Sequence, residues 1–300
     1  MTADATIQAA VERLRAGGLV AIPTETVYGL ACDALNPLAI RRVYATKGRP
    51  AGHPVIVHLG PAADPEAWGV INPRARDLID AFWPGPLTLI VNKQPRVPAE
   101  VTGGLDTVGL RMPAHPRAQA LLTAFGSGLA APSANRFGRV SPTTAAHVTA
   151  EFGDSVLVLD GGPCTVGLES TIVDTTSTHP ALLRSGSILR SDVEAIVGPL
   201  GASETRAPGT LKSHYAPMTS LLLSDAPMTD KARLEGEGLT VALLRASTPA
   251  EYAKNLYSEL RRLDALGVDV LIAERAPQEG LGEAINDRLS RAAHSFSTEE

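Results

Sequence analysis

The chain has 300 residues, 44% hydrophobic and 20% charged, with a formal net charge of −5, which fits a globular protein of up to two domains and excludes a disordered or fibrous one. Lys and Arg number 17 against 18 Asp and Glu up to residue 206, and 10 against 14 beyond it, so any polyanion must be held by a local cationic cleft rather than a basic face. Two cysteines, Cys32 and Cys164, without metal-ligand spacing argue against a zinc module or a disulfide scaffold and suit a reducing compartment.

Ile7, Ala10, Val11 and Leu14 share a helical face closed by Gly17-Gly18, and a strand is expected over Leu19–Ile22. Pro23–Leu30 then reads as a turn-like segment with two threonines, a glutamate and a tyrosine. Its hydroxyls suit a small polar ligand, or equally a capping box with a core tyrosine. A helix follows with Asn36 as cap, Pro37 at its first position and Leu38, Ile40, Val43 and Tyr44 as its apolar face. Gly48 can end it in the left-handed conformation and Pro50 forbids its resumption, which places Lys47 and Arg49 on an exposed loop before the strand Pro54–His58.

Further strands are expected at Leu87–Val91, Val108–Met112, Leu129–Ala131, Val156–Leu159, Thr171–Val173 and Ala181–Leu183. Helices are expected at Arg74–Phe82, Arg117–Phe125 and Thr143–Phe152, the last capped by Ser141-Pro142. Arg111 lies in an apolar strand and needs a partner, either a buried carboxylate of the protein or that of a ligand, with the ligand favoured. Lys47, Arg49, Arg111 and Arg184 would form a cationic cavity if the sheet gathered them. This mixture implies an α/β domain with a twisted mixed sheet.

Periodicity stops between Ala207 and Pro217, a linker with proline near both ends. Beyond it, Ser220–Leu223, Asp230–Glu237, Thr240–Leu244, Glu251–Leu266, Asp269–Ala273 and Glu283–Phe296 alternate strand and helix, predicting a small Rossmann-like parallel sheet without the dinucleotide fingerprint. The expected division is a catalytic domain at 1–206, a linker or lid at 207–218 and an accessory domain at 219–300. No apolar run approaches the roughly 18 residues of a membrane span, and the first residues lack a charged segment leading into an apolar one, so a cytoplasmic location is expected. The P-loop, nucleophile-elbow and zinc-protease patterns are all missing, which makes hydrolytic triads and resident metals poor expectations.

In order, Pro23–Leu30, Lys47–Pro50 with Pro54–His58, Trp83–Thr88, Thr107–Pro113, Ala131–Asn135, Ser141–Thr143, Gly167–Asp174, Leu183–Gly186 and His214–Pro217 resemble the YrdC-domain family in its long, two-domain form, the threonylcarbamoyl-AMP synthases. The resemblance spans residues 1–217, and the tail fits the family's accessory domain. It implies synthesis of L-threonylcarbamoyl-adenylate from L-threonine, bicarbonate or CO2 and ATP with release of pyrophosphate, a nucleotidyl transfer. The product feeds threonylcarbamoyladenosine formation in tRNAs reading ANN codons, through downstream threonylcarbamoyl-transferase proteins, with tRNA met indirectly or weakly. By match to the family's motifs, Thr26, His58, Arg111 and Ser170 would contact threonine. Arg49, His53, Thr107, Ser133, Ser141, Arg184 and Tyr215 would contact ATP. Lys47 would sit over the phosphates beside Arg49 as the catalytic pair, and His214 with Tyr215 would form the lid. Mg²⁺ would arrive chelated by ATP, with no protein ligand. His53 departs from the asparagine usual in the family. The competing reading is a non-catalytic double-stranded RNA binder of the same fold, which the balanced charge of the first 206 residues disfavours.

Overall fold

A computed structural model describes residues 3–203, 205, 208–209 and 214–293. In chain order the elements are α1 (Ala3–Arg15), β1 (Val20–Ile22), β2 (Gly29–Asp33), α2 (Pro37–Lys47), β3 (Ile56–His58), α3 (Pro73–Phe82), β4 (Leu87–Asn92), α4 (Ala99–Thr102), β5 (Thr107–Arg111), α5 (Pro116–Phe125), β6 (Leu129–Ala130), α6 (Ala145–Phe152), β7 (Leu157–Val158), β8 (Thr171–Asp174), β9 (Ala181–Arg184) and α7 (Arg190–Val197). These are followed by β10 (Ser220–Ser224), α8 (Pro227–Gly236), β11 (Val241–Leu244), α9 (Pro249–Asp264), β12 (Val270–Glu274) and α10 (Leu281–Ala293).

The first nine strands form one mixed sheet in the order β7-β1-β2-β6-β3-β5-β4-β8-β9. Successive residues of a strand face opposite sides, and the core divides accordingly. Ala21, Leu30 and Cys32 pack with α2, α3 and α7, whereas Val20, Ile22 and Ala31 pack with α1 and α5. The twisted mixed sheet with helices on both faces is the expected fold class. β10, β12 and β11 form a second, wholly parallel sheet, also as expected. Its core is continuous with the first unit: Val27, Val140, Leu168 and Tyr215 belong to the same apolar cluster as Leu256, Tyr257, Leu271 and Leu289.

Four local expectations are corrected. Gly29–Asp33, its first two residues expected as turn and the rest unassigned, is a strand, because pairing with Val20–Ile22 and Leu129–Ala130 satisfies its backbone. The helix expected from Thr143 starts at Ala145, since Thr144 rather than Ser141-Pro142 caps it by accepting from the His147 amide. Arg190–Val197 is a helix that the sequence reading left out. Lys47 is not on an exposed loop. Gly48 does take the left-handed conformation, φ 63°, and Asn36 caps the start as expected, but Lys47 is the last helical residue and is buried. Of the expected linker, residues 207 and 210–213 lie outside the described residues, as do residues 294–296 of the last expected helix.

Candidate active site

Strand ends and the loops that follow them line a partly open cavity of about 60 Å³. His58 ends β3 and Arg111 ends β5, and the two are paired across parallel strands, so their side chains share a face. Ser170 immediately precedes β8, Arg184 ends β9, Thr26 lies in the β1–β2 turn and Ser133 follows β6. All six line the cavity, joined by Arg49, Thr24, Glu169, His214 and Tyr215. Of the expected site residues, Lys47, His53, Thr107 and Ser141 are not in its wall.

On the expected threonine side, Arg111 is buried and its guanidinium is shared out. Nη2 donates to Glu25 Oε1 at 2.6 Å, Nη1 to Thr26 Oγ1 at 2.9 Å and Nε to the Gly85 carbonyl at 3.2 Å. The protein's own carboxylate therefore fills the partner role expected of a ligand, and the physical reason is burial: a desolvated guanidinium needs a permanent counter-charge. Three of its five N–H donors are engaged this way, and the fork geometry leaves two to orient a ligand carboxylate. The other oxygen of Glu25 accepts from the Ala114 amide at 3.0 Å, which fixes the pair to the backbone. Thr24 and Thr26 share a hydroxyl hydrogen bond of 2.8 Å, and Ser170 shares one of 2.7 Å with Thr88. Burial, followed by the charge of Arg111, depresses His58 to a pKa of about 3, so it is a neutral ring whose Nδ1 is buried and unpartnered.

On the expected nucleotide side, Arg184 donates through Nε and Nη2 to the Ser170 carbonyl at 3.0 and 2.9 Å and through Nη1 to the Pro208 carbonyl at 3.0 Å. The Arg49 guanidinium lies 5.7 Å from the centre of the Phe137 ring and donates to the Pro54 carbonyl, while its Nε is buried with no partner. Burial lowers the pKa of both arginines; a guanidinium nevertheless stays protonated in any working pH range. Lys47 reaches the carbonyls of Ser133 and Asn135 from behind the cavity wall, and burial, then Arg49, lowers its pKa well below the ordinary value. His53 packs 5.7 Å from the Phe137 ring.

His214 and Tyr215 complete the lining. Tyr215 has φ 64°, packs edge-on to His214 at 4.1 Å and stacks on Tyr257 at 5.6 Å. Its hydroxyl and the His214 Nδ1 are buried and have no partner among the described residues.

Sequence reasoning passed over Glu25, Glu169, Tyr257 and Arg288. Glu169 accepts from Ser141 Oγ at 2.6 Å, Tyr257 Oη at 2.7 Å and Arg288 Nε at 3.0 Å. Ser141 thus meets the site through Glu169. The available signal was a charge on an apolar stripe: Arg288 follows Ile285 at helical spacing and adjoins Leu289, and Glu169 stands between Leu168 and an apolar strand.

Residues 12–186 match the Sua5/YciO/YrdC family model, described as telomere recombination, and residues 186–294 match the threonylcarbamoyl-AMP synthase C-terminal domain. The threonylcarbamoyl-AMP synthase of Pyrococcus abyssi is 38% identical, with 96% of this chain and 94% of that protein covered. That of Bacillus subtilis is also 38% identical, with 97% and 94% covered. The crystal structure of P. abyssi Sua5 complexed with L-threonine superposes with a TM-score of 0.90 at 38% identity, covering 96% of this chain and 94% of that one. With both its sheets and residues 12–294 accounted for in this way, the chain belongs to the Sua5/YciO/YrdC family in its two-domain form.

Proposed function

We propose that this protein is a nucleotidyltransferase that makes L-threonylcarbamoyl-adenylate from L-threonine, bicarbonate or CO2 and ATP, releasing pyrophosphate. The adenylate then serves threonylcarbamoyladenosine formation in ANN-decoding tRNA by downstream transferases. The supporting observation is that one cavity gathers Thr26, His58, Arg111 and Ser170 together with Arg49, Ser133, Arg184 and Tyr215. It does so in a chain that matches a synthase along 96% of its length.

Threonine's amine adds to CO2 to give a carbamate, losing a proton. A carbamate oxygen then attacks the α-phosphorus of ATP, and the bond to the β-phosphate oxygen breaks as pyrophosphate leaves. Both reactants are anionic, so the site must neutralise charge and hold them in line, and needs no nucleophile of its own. Arg111 takes the threonine carboxylate. Neutral His58 accepts a hydrogen bond from the amine through its unpartnered Nδ1. Arg49, with its unpartnered Nε, and Arg184 face the phosphates. His214 and Tyr215 act as the lid, excluding water from a mixed anhydride that hydrolyses readily. Lys47 acts through the loop it anchors: its bonds to the Ser133 and Asn135 carbonyls hold the Ser133 segment against the nucleotide. Mg²⁺ enters with ATP as part of the substrate. Glu169, a carboxylate of the cavity wall, is bound to Arg288, and Glu25 outside the wall is bound to Arg111, so Mg²⁺ would be held by phosphate oxygens and water rather than by these carboxylates.

Incubation of the purified protein with ATP, Mg²⁺, radiolabelled bicarbonate and single amino acids tests this reading. Label is expected in an adenylate with threonine and at trace levels with other amino acids. Label incorporated equally with alanine or valine, or none with threonine, would overturn it.

A further inference from the structure

The side chain of Arg288 is completely buried although it belongs to the second, parallel-sheet unit. From α10 it reaches the two strand ends that carry expected binding residues. Its Nε meets Glu169, the neighbour of Ser170, at 3.0 Å, and its Nη2 donates to the carbonyl of Ser185, the neighbour of Arg184, at 3.0 Å. Its guanidinium also lies 5.4 Å from the centre of the Tyr215 ring, and its Nη1 donates to Asp287 at 2.7 Å. Tyr257, from α9 of the same unit, donates to Glu169 and stacks on Tyr215.

Glu169 is a buried carboxylate in the wall of a cavity whose other charged groups, among the described residues, are cations. Left alone there it would repel a triphosphate, and desolvation would make it costly. Burial by itself raises its pKa, but Arg288 first, then Arg184, Ser141 and Tyr257 outweigh that and hold the carboxyl near about 2. The carboxylate thus stays ionised and compensated, and its oxygens anchor one residue from each of three segments: Ser141, Tyr257 and Arg288.

We propose that Arg288 is a positioning residue for the reaction. Resting on the function given above, the parallel-sheet unit supplies the counter-charge that lets Glu169 stand beside ATP and the platform on which Tyr215 closes. Arg288 touches neither substrate; it acts through Glu169, Ser185 and Tyr215.

The prediction separates charge compensation from packing, because removing Glu169's charge should repair the loss of Arg288. Binding of labelled ATP by equilibrium dialysis and initial rates of adenylate formation are measured for wild type, Arg288→Met, Arg288→Lys, Glu169→Gln and the double variant Arg288→Met/Glu169→Gln, with circular dichroism as a check on folding. Arg288→Met is expected to weaken ATP binding, and to raise its KM, by at least ~10-fold while kcat moves by less than ~3-fold. Arg288→Lys should be intermediate, and the double variant should bind ATP within ~3-fold of Glu169→Gln alone. Wild-type ATP affinity in Arg288→Met, or an equal loss with and without Glu169→Gln, would overturn the proposal. Should Arg288→Met fail to fold, the same comparison is made with Arg288→Lys, whose deficit must vanish on the Glu169→Gln background. A wild type that binds ATP and shows this pattern but makes no adenylate would sink the function and leave the role of Arg288 standing. A wild type that makes adenylate without the pattern would sink only the latter.

Discussion

Lys47 and Arg49 stand two residues apart, and folding sends one behind the cavity wall and the other into it. Replacing them should therefore separate stability from turnover. Lys47→Ala leaves the Ser133 and Asn135 carbonyls buried without their donor, which should cost ~1–3 kcal/mol of stability as well as activity. Arg49→Ala should lower kcat/KM by ~10²–10³ while costing less stability than Lys47→Ala, because it gives up one hydrogen bond, to the Pro54 carbonyl, and a contact with Phe137, and its Nε has no partner among the described residues. Comparing thermal midpoints with steady-state rates for the two variants checks the division; equal destabilisation would refute it. At the same scale, the threonine side is built of hydroxyls already engaged in pairs, Thr24 with Thr26 and Ser170 with Thr88. A pocket that hydrogen-bonds a substrate hydroxyl rejects an isostere without one. Valine should be used at least ~10²-fold less well than threonine in kcat/KM. Equal rates would move the substrate's side chain away from these groups.

At the scale of elements, Tyr215 connects the expected lid to both units, with a ring held between His214, Tyr257 and the Arg288 guanidinium. Tyr215→Phe keeps that ring and discards only a hydroxyl that has no partner, so stability should change by less than ~1 kcal/mol. Tyr215→Ala removes the ring, and the adenylate formed should hydrolyse severalfold faster, read as free AMP released per adenylate made. Identical AMP fractions in the two variants would show that the ring closes nothing. Gly209 is the nearby constraint: its φ is +78°, and a Cβ there would fall 2.4 Å from the Tyr215 hydroxyl and 2.9 Å from Arg184 Nη1, so only glycine permits this approach. Elements such as α2 were legible in the sequence because Asn36, Pro37 and Gly48 act on their immediate neighbours. The β2 strand was not legible, because Gly29–Asp33 becomes a strand through Val20–Ile22 and Leu129–Ala130, the latter about a hundred residues away. Site residues at strand ends were readable from their motifs. The ion pairs beneath them, Arg111 with Glu25 and Arg288 with Glu169, join residues 86 and 119 positions apart, and only the fold chooses such partners.

For the molecule as a whole, buried neutral histidines set the response to acid. His58 and His214 both have pKa values depressed to about 3, by burial foremost, against about 6.5 when unfolded. The unfolded chain therefore binds more protons between these values, and stability is full above pH 6.5 and falls as pH drops toward 3, by up to ~1.4 kcal/mol per pH unit for each ring. Glu169, depressed to about 2, adds to the loss only below its ordinary carboxylate range near 4.5. Urea midpoints measured from pH 8 to 4 should be level above 7 and decline below 6.5, and a flat profile to pH 5 would contradict the assignment. The shared apolar core carries a consequence for unfolding. Val27, Val140 and Leu168 of the first unit lie in one cluster with Leu256, Tyr257 and Leu289 of the second, so the two sheets should come apart in a single cooperative step, with fluorescence and circular dichroism tracing the same transition.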